Sequence, residues 1–178
     1  SSAASDVYKR QLQERGQLLI SDPLAKYMPE FANGTVAVDN GRGGYDVVSA
    51  RRAITIRDLL THTSGISYGN GLAVEEWRDA DVIGWYFANR DEPIRETIHR
   101  MGSLPATAHP GESWVYGFNT DILGALIEVI SGRSFDVFLR EEILEPLGMS
   151  DTHFYLPEEK KDRLEFLVDE DKEAFNTV

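Results

Sequence analysis

The sequence predicts a mostly helical unit carrying one small β-hairpin. Three observations point there. Ile122, Leu123, Leu126, Ile127 and Ile130 recur at the spacing of one helix face and form a wide apolar stripe. Helix punctuation recurs along the chain, with capping residues before apolar runs and glycine after them. Residues 33–50 break this pattern with strand signals. There, two short β-favouring runs, Thr35–Val38 and Tyr45–Val48, lie among Gly34, Gly41, Gly43 and Gly44.

The elements follow in chain order. Leu12 to Leu19 reads as the end of a helix with Gly16 near its C-terminus. Asp22-Pro23 opens a turn of helix over Leu24–Tyr27, and Pro29 is expected to end it. The hairpin follows. Thr55 and Asp58 have capping-box spacing before Leu59 and Leu60, and Ser64-Gly65 stops that short helix. Residues 67–90 show no clear period. Pro93–Met101 is a helix with Ile94, Ile98 and Met101 on one face and Gly102 at the C′ position. Ala108–Gly111 is a turn, and Trp114-Val115-Tyr116 is extended or irregular. Thr120–Ile130 is the strongest helix and Gly132 ends it. Ser134 caps another through Phe138 and Ile143, closed by Pro146-Leu147-Gly148. No strand–helix alternation of the Rossmann kind is present.

Composition excludes several function classes. Eighteen basic against 30 acidic residues give a net charge of −12. That balance opposes nucleic acid, whose phosphates require Lys and Arg, and opposes anionic lipid. Residues 157–178 hold eight acids and four bases, −4 of the total, and read as a solvated acidic tail. There are no cysteines, so disulfides and thiolate catalysis are excluded. That absence leaves the compartment open. No run approaches the ~20 apolar residues of a membrane-spanning helix.

Most nucleophile and ligand motifs are missing. G-x-S-x-G, the P-loop and G-x-G-x-x-G do not occur. His62, His99, His109 and His153 lack zinc-ligand spacing and read as surface or hydrogen-bonded histidines, so no metal or cofactor is expected. Ser64 stands two residues after His62. Triad partners come from different elements, however, so Thr61, Thr63 and Ser64 read as satisfying polar groups at a helix end.

Trp114 to Gly124 (WVYGFNTDILG) carries more chemistry. Tyr116 and Asn119 stand at the entrance to the most apolar helix, where side chains are held rigidly and backbone N–H groups are free. A phenol of ordinary pKa near ~10 is a poor base at neutral pH. It becomes a useful one beside a cation, so Tyr116 as a base requires a Lys close in space. On chemistry alone the pair reads as a hydrogen-bonded tyrosine and an N-cap asparagine.

Four blocks change that reading. Ile54–Ile66 (ITIRDLLTHTSGI) resembles a block of the serine β-lactamase-related family, which includes class C β-lactamases, DD-peptidases and β-lactamase-like esterases. Trp114–Gly124 resembles its tyrosine motif, Glu145–Thr152 (EPLGMSDT) its PLGM-x-D-T block, and Asp22–Phe31 (DPLAKYMPEF) its block near the start. They occur in family order between residues 12 and 165.

The resemblance implies an α/β fold of the β-lactamase/transpeptidase type. This chain would supply mostly its helical subdomain and hairpin, with the central sheet largely outside it. It also implies a Ser in S-x-x-K that forms an acyl-enzyme, with a Lys and a Tyr handling the proton. By position Tyr116 matches that Tyr, the candidate general base. Asn119 is a weaker match to the motif Asn, because the spacing here is Y-x-x-N and not Y-x-N. This tilts the reading toward the esterase- or peptidase-like branch. No S-x-x-K occurs in the 178 residues, and Ser5 and Lys9 are four apart, not three. The expected organisation is a non-native or remnant segment over 1–11, a partial domain over 12–165 and the acidic tail over 166–178. The expected function is that of a serine hydrolase fragment, inactive alone. Its parent would act on a small-molecule ester, β-lactam or D-Ala peptide. The alternative is a non-catalytic binding module of the same fold, whose interface the acidic tail and the aromatic 77–86 segment would form. Oligomeric state and compartment stay open.

Overall fold

The computed structural model describes residues 14–83 and 92–163. Among them the only sheet is the expected hairpin. Strand β1 (Thr35–Asp39) pairs antiparallel with β2 (Tyr45–Ser49), from Thr35 opposite Ser49 to Asp39 opposite Tyr45. The Asn40–Gly44 loop closes because the Asn40 carboxamide oxygen accepts the Arg42 and Gly44 N–H groups. Strand β1 is covered on both faces at its middle, where the adjacent residues Val36 and Ala37 are buried. The hairpin is tied down at residue 106, where Ala37 N–H donates to Ala106 O and Ala106 N–H to Thr35 O.

Among the described residues five α-helices accompany it: α1 (Ile56–Leu60), α2 (Val74–Asp79), α3 (Ile94–Met101), α4 (Asn119–Ser131) and α5 (Phe135–Leu139). Helix α4 is the hub and packs against α1, α3 and α5. Its stripe is buried as expected at Ile122, Leu123, Leu126 and Ile127, with Ala125 beside them. Each buried Ile or Leu contributes about 1.5–3 kcal/mol, far more than helix propensity alone. Gly132 ends α4 in the left-handed region, at φ 69°.

The capping box before α1 is present. Thr55 Oγ1 accepts the Asp58 N–H, and Asp58 accepts the Thr55 N–H at 2.8 Å. Arg52 adds a bidentate pair to the same carboxylate, at 2.6 and 2.8 Å. Burial alone would raise the Asp58 pKa. The Arg52 and Thr55 donors outweigh it and hold the carboxyl at about 2.

Several local expectations are corrected. Pro29 does not end the preceding turn but starts a second one, Pro29–Phe31, after the 3₁₀ turn Leu24–Lys26. Proline lacks an N–H and suits a first helical position. The helix before Gly16 has already ended at Glu14, and Gly16 sits at φ 69°. Gly102 is not left-handed; its φ is −59°. Its requirement is space, because a Cβ there would stand 2.6 Å from Glu30 O. Ser134 occupies the N-cap of α5 without capping it. The Phe135 N–H is taken by Glu128 Oε1 at 2.8 Å, and α5 runs on into a π-turn over Arg140–Leu144. Trp77 is core, 1% exposed, and offers no surface to a partner. Trp85 and Tyr86 lie outside the described residues.

Candidate active site

The site begins with a backbone zipper. The segment after α1, Thr63–Gly65, runs beside residues 107–115. Thr107 N–H donates to Gly65 O (2.9 Å), Gly111 N–H to Thr63 O (2.7 Å) and Val115 N–H to His62 O (2.7 Å). Gly65 permits this approach: φ is 85°, and a Cβ would meet Ala108 O at 2.0 Å. Gly117 does the same on the next residue pair, where a Cβ would stand 2.4 Å from Ile66 O. Tyr116 therefore enters the site between two fixed points, Val115 and Gly117.

An aromatic column carries it outward. Trp77, whose indole N–H donates to Pro105 O at 2.8 Å, stacks on the fully buried Phe118. Tyr68 meets Phe118 edge-on at 4.8 Å and Tyr116 edge-on at 5.7 Å. Tyr116 then stacks with Trp114 at 5.8 Å and faces the His62 ring at 5.0 Å. The column runs from core to solvent, where Tyr116 is 57% and Trp114 67% exposed. Edge-on and offset contacts of this kind hold rings in fixed orientations.

Tyr68 is the inner phenol of a hydrogen-bonded pair with Tyr116. Burial, then Tyr116, then the carboxylate of Asp121 push its pKa up to about 12, so it stays a phenol. Asp121 lies in the first turn of α4, and burial raises its pKa to about 6. Sequence patterning singled out neither residue. Their meaning lies in depth at the entrance of α4, and depth has no local signature.

Asn119 is not an N-cap. Phe118 holds that position, and Asn119 is the first helical residue, with no exposed surface. Its oxygen accepts from Ser64 Oγ at 2.5 Å, and its nitrogen faces Val115 O (3.3 Å), Ile66 O (3.4 Å) and His62 Nδ1 (3.2 Å). One buried amide thus joins the loop after α1 to the start of α4. Ser64 is fully buried and also accepts the Ile66 N–H at 3.1 Å. Thr61 Oγ1 donates to Arg57 O and Thr63 Oγ1 to Asp58, as the helix-end reading expects.

Among the described residues no lysine contact to Tyr116 is found. The described lysines Lys26, Lys160 and Lys161 pair with Asp22, Asp151 and Glu158. Among the described residues no group of three or more His, Cys, Asp or Glu could hold a metal ion. Nor is any helix there long and apolar enough to cross a membrane.

The model of the Beta-lactamase family matches residues 10–177. The chain belongs to that family. Its relatives in the family include Protein Rv1367c of Mycobacterium tuberculosis, 32% identical over 146 residues, covering 82% of this chain and 35% of that protein. Esterase EstB of Burkholderia gladioli is 30% identical, covering 84% and 36%. Lovastatin esterase of Penicillium rubens is 31% identical, covering 89% and 39%. Among solved structures, unliganded simvastatin synthase (LovD) of Aspergillus terreus superposes with TM-score 0.61 at 28% identity, over 83% of this chain and 36% of that one. The octameric penicillin-binding protein homologue from Pyrococcus abyssi does so with TM-score 0.61 at 26% identity, over 98% and 36%. This β-lactamase-family chain spans a little over a third of the length of these relatives. Its fold is that of the β-lactamase/transpeptidase type, and its family is one of serine hydrolases and acyl transferases.

Proposed function

We propose that this chain supplies the tyrosine side of an acyl-transfer site that acts on a carboxylic ester. Tyr116 is the general base, and Asn119 is the buried residue that fixes its approach. One observation carries this reading: Tyr116 is held, with Trp114, at the exposed end of an aromatic column that Trp77 and Phe118 anchor in the core. A base must be both rigid and accessible, and this phenol is both. Relatives named as esterases favour an ester over a β-lactam or D-Ala peptide.

In the whole protein, the hydroxyl of a serine in an S-x-x-K motif attacks the ester carbonyl. Tyr116 takes the serine proton, aided by the motif Lys, and that proton leaves on the departing alcohol. The acyl group stays on the serine until water or a second alcohol takes it. These 178 residues contain no S-x-x-K. Alone they therefore form no acyl-enzyme.

Incubation with a p-nitrophenyl ester tests both statements. This chain gives no burst of nitrophenolate and no acyl adduct in its intact mass; a stoichiometric adduct would sink the claim. A full-length protein containing this sequence gives the burst. There Tyr116→Phe lowers the acylation rate about 10²–10⁴-fold, the usual worth of a positioned proton acceptor. An unchanged rate removes Tyr116 from the mechanism.

A further inference from the structure

His62 stands beside Tyr116 under two constraints, one on its backbone and one on its ring. It is a non-glycine residue with a left-handed backbone, φ 55°. Such a conformation costs a β-carbon residue energy and persists only where its surroundings enforce it. The enforcing contacts are the Val115 N–H on its carbonyl and Asn119 at its ring.

The orientation of the Asn119 amide decides the state of that ring. Its nitrogen faces two backbone carbonyls, Val115 O and Ile66 O, which only accept. The flipped amide would set oxygen against both carbonyls in a site with no exposed surface. The atom 3.2 Å from His62 Nδ1 is therefore an NH₂ group, which offers no acceptor and shares its two hydrogens among Val115 O, Ile66 O and Nδ1. A proton on Nδ1 would face that NH₂ unpaired, so Nδ1 carries none. A neutral imidazole then carries its proton on Nε2.

We propose that His62 is a positioning residue for Tyr116, locked by Asn119 in the single tautomer with its proton on Nε2. Its ring stands 5.0 Å from the Tyr116 ring and 6.1 Å from that of Trp114, so it buttresses the phenol on one side. The Nδ1 lone pair faces the Asn119 NH₂ and Nε2 bears hydrogen, so in this tautomer the ring presents an N–H, not a lone pair, at Nε2. The functional meaning rests on Tyr116 being the base, but the tautomer does not.

The experiment uses this chain with its histidines labelled with ¹⁵N and its tyrosine Cζ carbons with ¹³C. Long-range ¹H–¹⁵N correlation at neutral pH identifies His62 by its loss in His62→Asn. Asparagine tolerates the left-handed backbone and can still offer Asn119 an oxygen. The expected pattern is a pyridine-type Nδ1 and a pyrrole-type Nε2. A pyrrole-type Nδ1, or shifts averaged between tautomers, overturns the lock. In His62→Asn the Tyr116 Cζ resonance moves, while that of the exposed Tyr155 stays. An unmoved Tyr116 resonance overturns the positioning role. Should that variant fail to fold, the wild-type tautomer pattern, assigned with His109→Gln, His99→Gln and His153→Gln, decides the matter. Loss of Tyr116 from the acylation mechanism would leave the tautomer result untouched, so the two failures are separable.

Discussion

Asn119 shows how much one buried amide can hold. Asn119→Ala leaves Ser64 Oγ, Ile66 O and Val115 O short of partners around a fully buried position. An unsatisfied buried polar group costs about 1–3 kcal/mol, so the variant should lose on the order of 2–4 kcal/mol in urea unfolding. A loss below about 1 kcal/mol would mean that water replaces the amide. Asp121 behaves in the opposite sense. Its folded pKa of about 6 lies above its unfolded value, so its favourable contribution exists below the unfolded pKa and is lost as pH rises through about 6. Asp121→Asn should therefore stabilise the chain at pH 8 by roughly 1–2 kcal/mol and have little effect at pH 4. Equal effects at both pH values would show that burial of the carboxylate is not the cause.

Among the elements, α1 depends most on charge. The carboxyl of Asp58 is held at about 2 by donors that outweigh burial, below its unfolded value. Its contribution is present above the unfolded pKa and is lost as pH falls toward about 2. Asp58→Asn should cost on the order of 1–2 kcal/mol at pH 7, less than a fully buried pair because Arg52 is partly solvated. The difference should vanish near pH 2, as thermal melts across pH will report. This cap was legible from Thr55 and Asp58, whose partners lie three residues apart. The apolar stripe of α4, the hairpin and the terminal Gly132 were legible for the same reason, being local patterns. Asn119 was misread as a cap because its partners are 53 to 57 residues away, except Val115. Gly102 and Pro29 were recognised as punctuation but given the wrong grammar. The contact at Gly102 comes from Glu30 across the fold, and at Pro29 one turn follows directly on another.

At the scale of the molecule, family blocks marked Tyr116, and only the fold brought His62, Tyr68 and Trp114 around it. The surface is uneven. Leu147, Met149, Phe154, Tyr155 and Leu156 are all exposed within ten residues of sequence. Such a concentration of apolar surface binds solvatochromic dyes. Anilinonaphthalene sulfonate fluorescence should rise with this chain and fall when Leu147→Glu and Phe154→Glu are combined. Unchanged dye binding in that variant would place the apolar surface elsewhere. The strong acidic balance predicts a second property. The chain should not retard duplex DNA in a gel at 0.1 M salt, because it has too few cations to displace condensed counterions.

The zipper between residues 62–65 and 107–115 has a consequence for how such a site can diversify. Its three main-chain bonds pair one carbonyl with one amide each, and every residue type carries those backbone groups except for the N–H that proline lacks. Inheritance of the geometry therefore makes little demand on the side chains at Ser113 and Val115. Substitutions there can retune the surface beside Tyr116 while its frame stays put. Libraries randomised at those positions should yield many folded clones, whereas libraries at Gly65 or Gly117 should yield almost none.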